Sequence, residues 1–134
     1  MTSSQPVVTP NAINFTPDNK RAYAYSGLTS VTDSNSILLE FQTNSEYIIA
    51  KWQPSYFSSG GTDAYRFTLV FNDIVIQNLT ESNDKDGPYD LQQCIIPPFT
   101  KVKITCANVS DSSSNDVGVS LIGQVFGRTD TSYQ

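Results

Sequence analysis

Tyr65-Arg66-Phe67-Thr68-Leu69-Val70-Phe71-Asn72-Asp73-Ile74-Val75-Ile76-Gln77-Asn78-Leu79-Thr80 is the stretch that decides the fold class. Its first half alternates, with Tyr65, Phe67, Leu69 and Phe71 on one face and Arg66, Thr68 and Val70 on the other. A period of two, carried by aromatic and β-branched residues, marks a strand with one buried and one wet face. Asn72 and Asp73 both tolerate positive φ and separate this run from a second apolar one. The segment therefore reads as two strands joined by a tight hairpin.

The same alternation recurs on both sides of this hairpin. Eight runs, 23–31, 36–43, 47–53, 64–71, 74–80, 90–96, 101–109 and 117–126, form a ladder over 23–126, and helical spacing fits none of them better. Ile37, Leu39 and Phe41 share one face of the second run, with Leu38 and Glu40 opposite. In the third, Ile48, Ala50 and Trp52 oppose Tyr47, Ile49 and Lys51. Val102, Ile104 and Cys106 point inward in the seventh, and Val117, Val119, Leu121, Gly123 and Val125 share a face in the eighth.

The links alternate in length. Asn44-Ser45-Glu46, Asn72-Asp73 and Pro97-Pro98-Phe99-Thr100 are short, whereas 54–63, 81–89 and 110–116 are long. Successive antiparallel strands put alternate links at opposite ends, so the long loops, with 32–35, fall at one end and the short ones at the other. This pattern leads us to expect an all-β, eight-stranded antiparallel β-sandwich, jelly-roll-like, over 23–127. An immunoglobulin-like sandwich is disfavoured because Trp52 lacks the flanking cysteine pair. An up-and-down barrel would give the same alternation and stays open. Residues 1–22, with Pro6, Pro10 and Pro17, read as an extended N-terminal arm, and 128–134 as a tail. The apolar arm residues Val7, Val8, Ile13 and Phe15 are candidates for an anchor on a partner or neighbouring subunit.

The 134 residues suit one domain with a real core. Only 16% are charged and the formal net charge is -5, with no basic cluster, so nucleic acid is not an expected partner. No apolar run approaches the ~20 residues that a spanning helix needs, so no membrane is expected either. Met1–Pro6 shows no basic leader or apolar run, which sets the expectation of a protein that is not exported. Cys94 and Cys106 are then expected as free thiols.

The chain has no histidine. Ser-His and Cys-His nucleophiles, histidine bases and histidine metal ligands are thereby removed together. A hydrolase would have to work with carboxylates alone, and a non-catalytic role is expected. Ser82-Asn83-Asp84-Lys85-Asp86-Gly87 echoes a calcium loop but places Ser82 and Gln93 where an EF-hand needs Asp and Glu. No cofactor is expected, and an improvised Ca²⁺ site among the loops is the weaker alternative. Asp33, Asp63, Glu81, Asp84, Asp86, Asp111 and Asp116 crowd the long-loop end against Lys85. Acids on loops ordinarily serve solubility, and an acidic rim that meets a basic partner is the functional alternative. Trp52 shares a face with Ile48 and Ala50 and is expected in the core. Tyr56 and Phe57 are left as surface contacts, with Asp84 and Asp86 beside them at the long-loop end.

Three stretches carry a resemblance: Ser36-Ile37-Leu38-Leu39-Glu40-Phe41, then Ile95-Ile96-Pro97-Pro98-Phe99-Thr100-Lys101-Val102-Lys103-Ile104-Thr105, then Val119-Ser120-Leu121-Ile122-Gly123-Gln124-Val125-Phe126-Gly127. Together they resemble small virion-associated proteins of tailed phages and other aquatic viruses with a jelly-roll-like fold, over roughly residues 25–127. The resemblance rests on strand and corner motifs and carries no site residues with it. It implies a viral structural protein, a capsid decoration, minor capsid or head-fibre module, assembled in the host cytoplasm and carried on the virion. Its partners would be the major capsid protein or other virion proteins and further copies of itself, a trimer by analogy with jelly-roll spikes. The alternative is a carbohydrate- or receptor-binding sandwich at a fibre tip, contacting a host-surface glycan or receptor.

Overall fold

The computed structural model describes residues 7–8, 13–16, 21–57, 63–82 and 89–127. Among them are eleven strands: β1 (Val7–Val8), β2 (Ile13–Thr16), β3 (Arg21–Tyr25), β4 (Thr29–Val31), β5 (Ser36–Gln42), β6 (Tyr47–Phe57), β7 (Ala64–Phe71), β8 (Ile74–Ser82), β9 (Gln92–Ile96), β10 (Lys101–Asn108) and β11 (Asn115–Phe126). They form two antiparallel sheets packed as a sandwich. The first has the order β1-β5-β10-β7-β8, and the second β2-β3-β11-β6-β9, with β4 also paired to β11.

The count exceeds the eight expected strands for two physical reasons. The run 23–31 is broken at Ser26-Gly27. Ser26 donates its amide to the Val119 carbonyl (3.0 Å) while its hydroxyl accepts the Val119 amide (2.9 Å), and Gly27 turns the chain at φ 72°. Two further strands come from the stretch read as an arm. Val7 and Val8 pair with Gln42 and Phe41, and Ile13–Thr16 runs antiparallel to β3. What pins these arm positions is the edge of this chain's own two sheets, β5 and β3.

The hairpin that fixed the fold class is present, with Phe71 paired to Ile74 and both Asn72 and Asp73 at positive φ, as a type I′ turn requires. Inner faces follow the alternation closely. Phe41, Tyr65, Phe67, Leu69, Val102 and Ile104 of the first sheet meet Ile48, Trp52, Val119 and Leu121 of the second in one core. Trp52 is fully buried and donates its indole N–H to Gln77 Oε1 (2.9 Å). β5 departs from expectation. A bulge opposite Ile104/Thr105 leaves Leu38 without a paired residue, so Leu38 and Leu39 are both buried while Ile37 faces out. β6 runs four residues further than expected. Pro54 is accommodated at the bulge where the register with β11 shifts.

The two ends differ in construction. At the short-loop end, Thr43 donates its amide to the Thr100 carbonyl (3.0 Å) and its hydroxyl to the Pro97 carbonyl (2.7 Å), and accepts the Thr100 amide (2.9 Å). At the long-loop end the buried Asn108 side chain donates to Asp63 Oδ2 (3.1 Å) and Asp111 Oδ1 (3.2 Å), and accepts the Ser110 amide (2.9 Å).

Candidate docking face

A sandwich with both inner faces buried normally leaves two polar outer faces. The outer face of the first sheet obeys this rule only in part, because Ile37 of β5 and Val75 and Ile76 of β8 are exposed. Glu40, Lys101, Lys103, Arg66, Thr68 and Asn78 lie along it, with Lys101 Nζ 3.5 Å from Glu40 and Thr68 Oγ1 bonded to Asn78 Oδ1 (2.9 Å).

The outer face of the second sheet does not. The register aligns Tyr23, Ile122, Lys51 and Gln93 in one row across β3, β11, β6 and β9, and Arg21, Gln124, Ile49 and Ile95 in the next. Ile95 is 61% exposed, Ile122 53%, Tyr23 50% and Ile49 45%. These positions are outward because their chain neighbours Ala22, Ala24, Ala50, Trp52 and Leu121 are buried, and a strand can bury only alternate residues. A groove of about 280 Å³ crosses the two rows. Ile49 and Ile122 form its apolar lining, and Arg21, Lys51, Gln93 and Gln124 its polar one. Neither Arg21 nor Lys51 has a salt bridge among the described residues, and neither row contains a carboxylate. Adjacent exposed apolar side chains framed by polar ones make this face the candidate for contact with a partner.

The residues singled out from the sequence lie elsewhere. Val7, Val8, Ile13 and Phe15 occupy strand positions at the edges of β5 and β3. Tyr56 is exposed beside Gly118 near the end of β6, and Phe57 follows it opposite Val117. Asp84 and Asp86 lie outside the described residues. Of the acids at the long-loop end, Asp63 and Asp111 converge on Asn108 and serve loop structure. The Ser113 hydroxyl, helped by the Ser113 amide, holds the Asp111 carboxyl below its usual 3.8. Burial raises the Tyr65 phenol, against the hydrogen bond to Asn115 that lowers it. Among the described residues no group of three or more His, Cys, Asp or Glu is placed to hold a metal ion.

Cys94 and Cys106 are free and sit in different sheets, and burial pushes their thiols up to about 11 and about 12. The outer face of the second sheet was recorded in the sequence only as the wet side of two runs. Its signal was the doublets Ile48-Ile49 and Leu121-Ile122, in which an apolar residue stands where alternation calls for a polar one. No protein-family model matches the chain, and no curated protein matches it.

Proposed function

We propose that this chain is a non-catalytic assembly module of a virus particle, a capsid decoration, minor capsid or head-fibre protein. In this reading it docks through the outer face of its second sheet. The observation that carries the proposal is that face: Tyr23, Ile49, Ile95 and Ile122 are exposed together there, around a groove that Arg21 and Lys51 also line. Docking modules need a stable scaffold and a sticky surface and no reactive group, which matches a chain without histidine.

We read the topology as a jelly roll. Leaving out the two arm strands and β4, the orders β3-β11-β6-β9 and β5-β10-β7-β8 follow the double Greek-key pattern of that fold, which recurs in capsid and lectin domains. The resemblance of residues 25–127 to virion-associated proteins supports the same reading. A homo-oligomer, a trimer by analogy, bound to the major capsid protein and located on the virion completes the proposal.

Mass spectrometry of purified particles from the host that makes this chain is the test. Recovery at a fixed ratio to the major capsid protein is the expected result, and absence from purified particles overturns the proposal. A glycan- or receptor-binding role at a fibre tip is favoured by one observation, the exposed Tyr56 ring at the long-loop end. A glycan array with and without Ca²⁺ tests it, and an array without hits removes it.

A further inference from the structure

The molecule carries a formal net charge of -5, yet the groove on the second sheet reverses that sign locally. Arg21 and Lys51 overhang an aliphatic floor of Ile49 and Ile122, and neither row of the face holds an acid to neutralise them. Cations without an acidic partner among the described residues, set over an apolar floor, attract a ligand that is acidic and aliphatic at once, and their field reaches it before contact. Arg21 stands two strands away from Lys51 and one row along. At ~4.8 Å between strands and ~3.4 Å per residue, their backbones are about 12 Å apart. That spacing suits acidic groups strung along a chain better than a single small anion.

The remaining lining discriminates between kinds of chain. Gln93 and Gln124 each offer an amide donor and acceptor, which pair with a peptide backbone. The floor is aliphatic and fits leucine- or valine-sized side chains, and the exposed Tyr23 ring stands beside the groove, outside its lining.

We propose that this groove binds an extended peptide segment of a partner protein in which acidic and aliphatic residues take turns at every second position, so that both kinds of side chain point to the same face. The proposal deepens the docking reading of the same face by naming what docks there. Arg21 and Lys51 each take a carboxylate, Ile49 and Ile122 receive the aliphatic side chains, and the two glutamines hold the backbone.

The test uses the full chain and a fluorescein-labelled peptide of repeated Glu-Ser-Leu-Ser, which when extended shows Glu and Leu on one face, followed by anisotropy at low and at raised salt. Saturable binding is expected, weakening with salt as exposed charges are screened. The same peptide with Lys in place of Glu, or with Ser in place of Leu, is expected to bind at least about tenfold more weakly. The double variant Arg21→Gln/Lys51→Gln and the single variant Ile122→Ser should each lose about tenfold, with unchanged melting curves showing that the fold is intact. Equal binding by the double variant overturns the proposal. So does a preference for a carboxylated oligosaccharide over the peptide, or displacement of the peptide by a salt-sensitive dimer of the chain itself. Particle composition is measured independently, so a failed peptide assay with the chain still present on particles rejects the peptide and leaves the docking role standing.

Discussion

Thr43 shows how much one hydroxyl can organise. It is 1% exposed, donates to the Pro97 carbonyl and accepts the Thr100 amide, so it ties the β5–β6 link to the Pro-Pro corner before β10. Thr43→Val keeps the shape and strands the buried Thr100 N–H and the part-buried Pro97 carbonyl. Urea denaturation should register a loss of about 1–3 kcal/mol. The thiols supply a second expectation at this scale. Below pH 9.0, their ordinary value, both are protonated in the folded and the unfolded chain and add no pH dependence. Above it the unfolded thiols ionise, while buried Cys106 holds its proton up to about 12 and Cys94 up to about 11. The folded state then binds more protons than the unfolded one, so stability falls as pH rises through this window. Cys106→Val should flatten that fall, and in the native protein a thiol reagent should modify half-buried Cys94 before Cys106.

At the scale of the element, the seam between β11 and β6 is the most constrained. Gly123 lies in register with Ala50 and Ala22, and a Cβ there would sit 2.7 Å from the Ile49 carbonyl oxygen and 2.7 Å from Ile48 Cγ2. Gly123→Ala must push backbone apart in the longest ladder of the second sheet, and a cost of about 1–3 kcal/mol is expected from thermal unfolding. The β7–β8 hairpin leaves room for gain. Asp73 pays for φ 68° with little return from Lys103, 3.9 Å away at an exposed site, so Asp73→Gly should raise stability by about 0.5–1 kcal/mol. Strands such as these were legible because alternation is local, and Tyr65 to Phe71 announce their faces without help. Bulges were not legible. Leu38 is buried because β10 offers it no partner, and that fact resides in another strand. The groove escaped for the same reason. Arg21, Lys51, Gln93 and Ile122 are far apart in the chain, and only the order β3-β11-β6-β9 brings them to one surface.

For the whole molecule, the decisive asymmetry is lateral. On one side β1 and β2 cover the edges of β5 and β3. On the other, β8 and β9 are the outer strands, and Gln77 bridges them by accepting the Trp52 indole N–H and donating to the Gln93 carbonyl (2.7 Å). Removing residues 1–16 should therefore speed amide exchange in β3 and β5 and leave β8 and β9 unchanged, a contrast that hydrogen-exchange mass spectrometry reads directly. The bordering strands are unequal, two and four residues on the covered side against nine and five on the other. Short edge strands are poor templates for further pairing. A pair of copies joined through β8 and β9 together would close both long edges at once and present only the two- and four-residue strands at its outer borders, a poor start for growth into fibres.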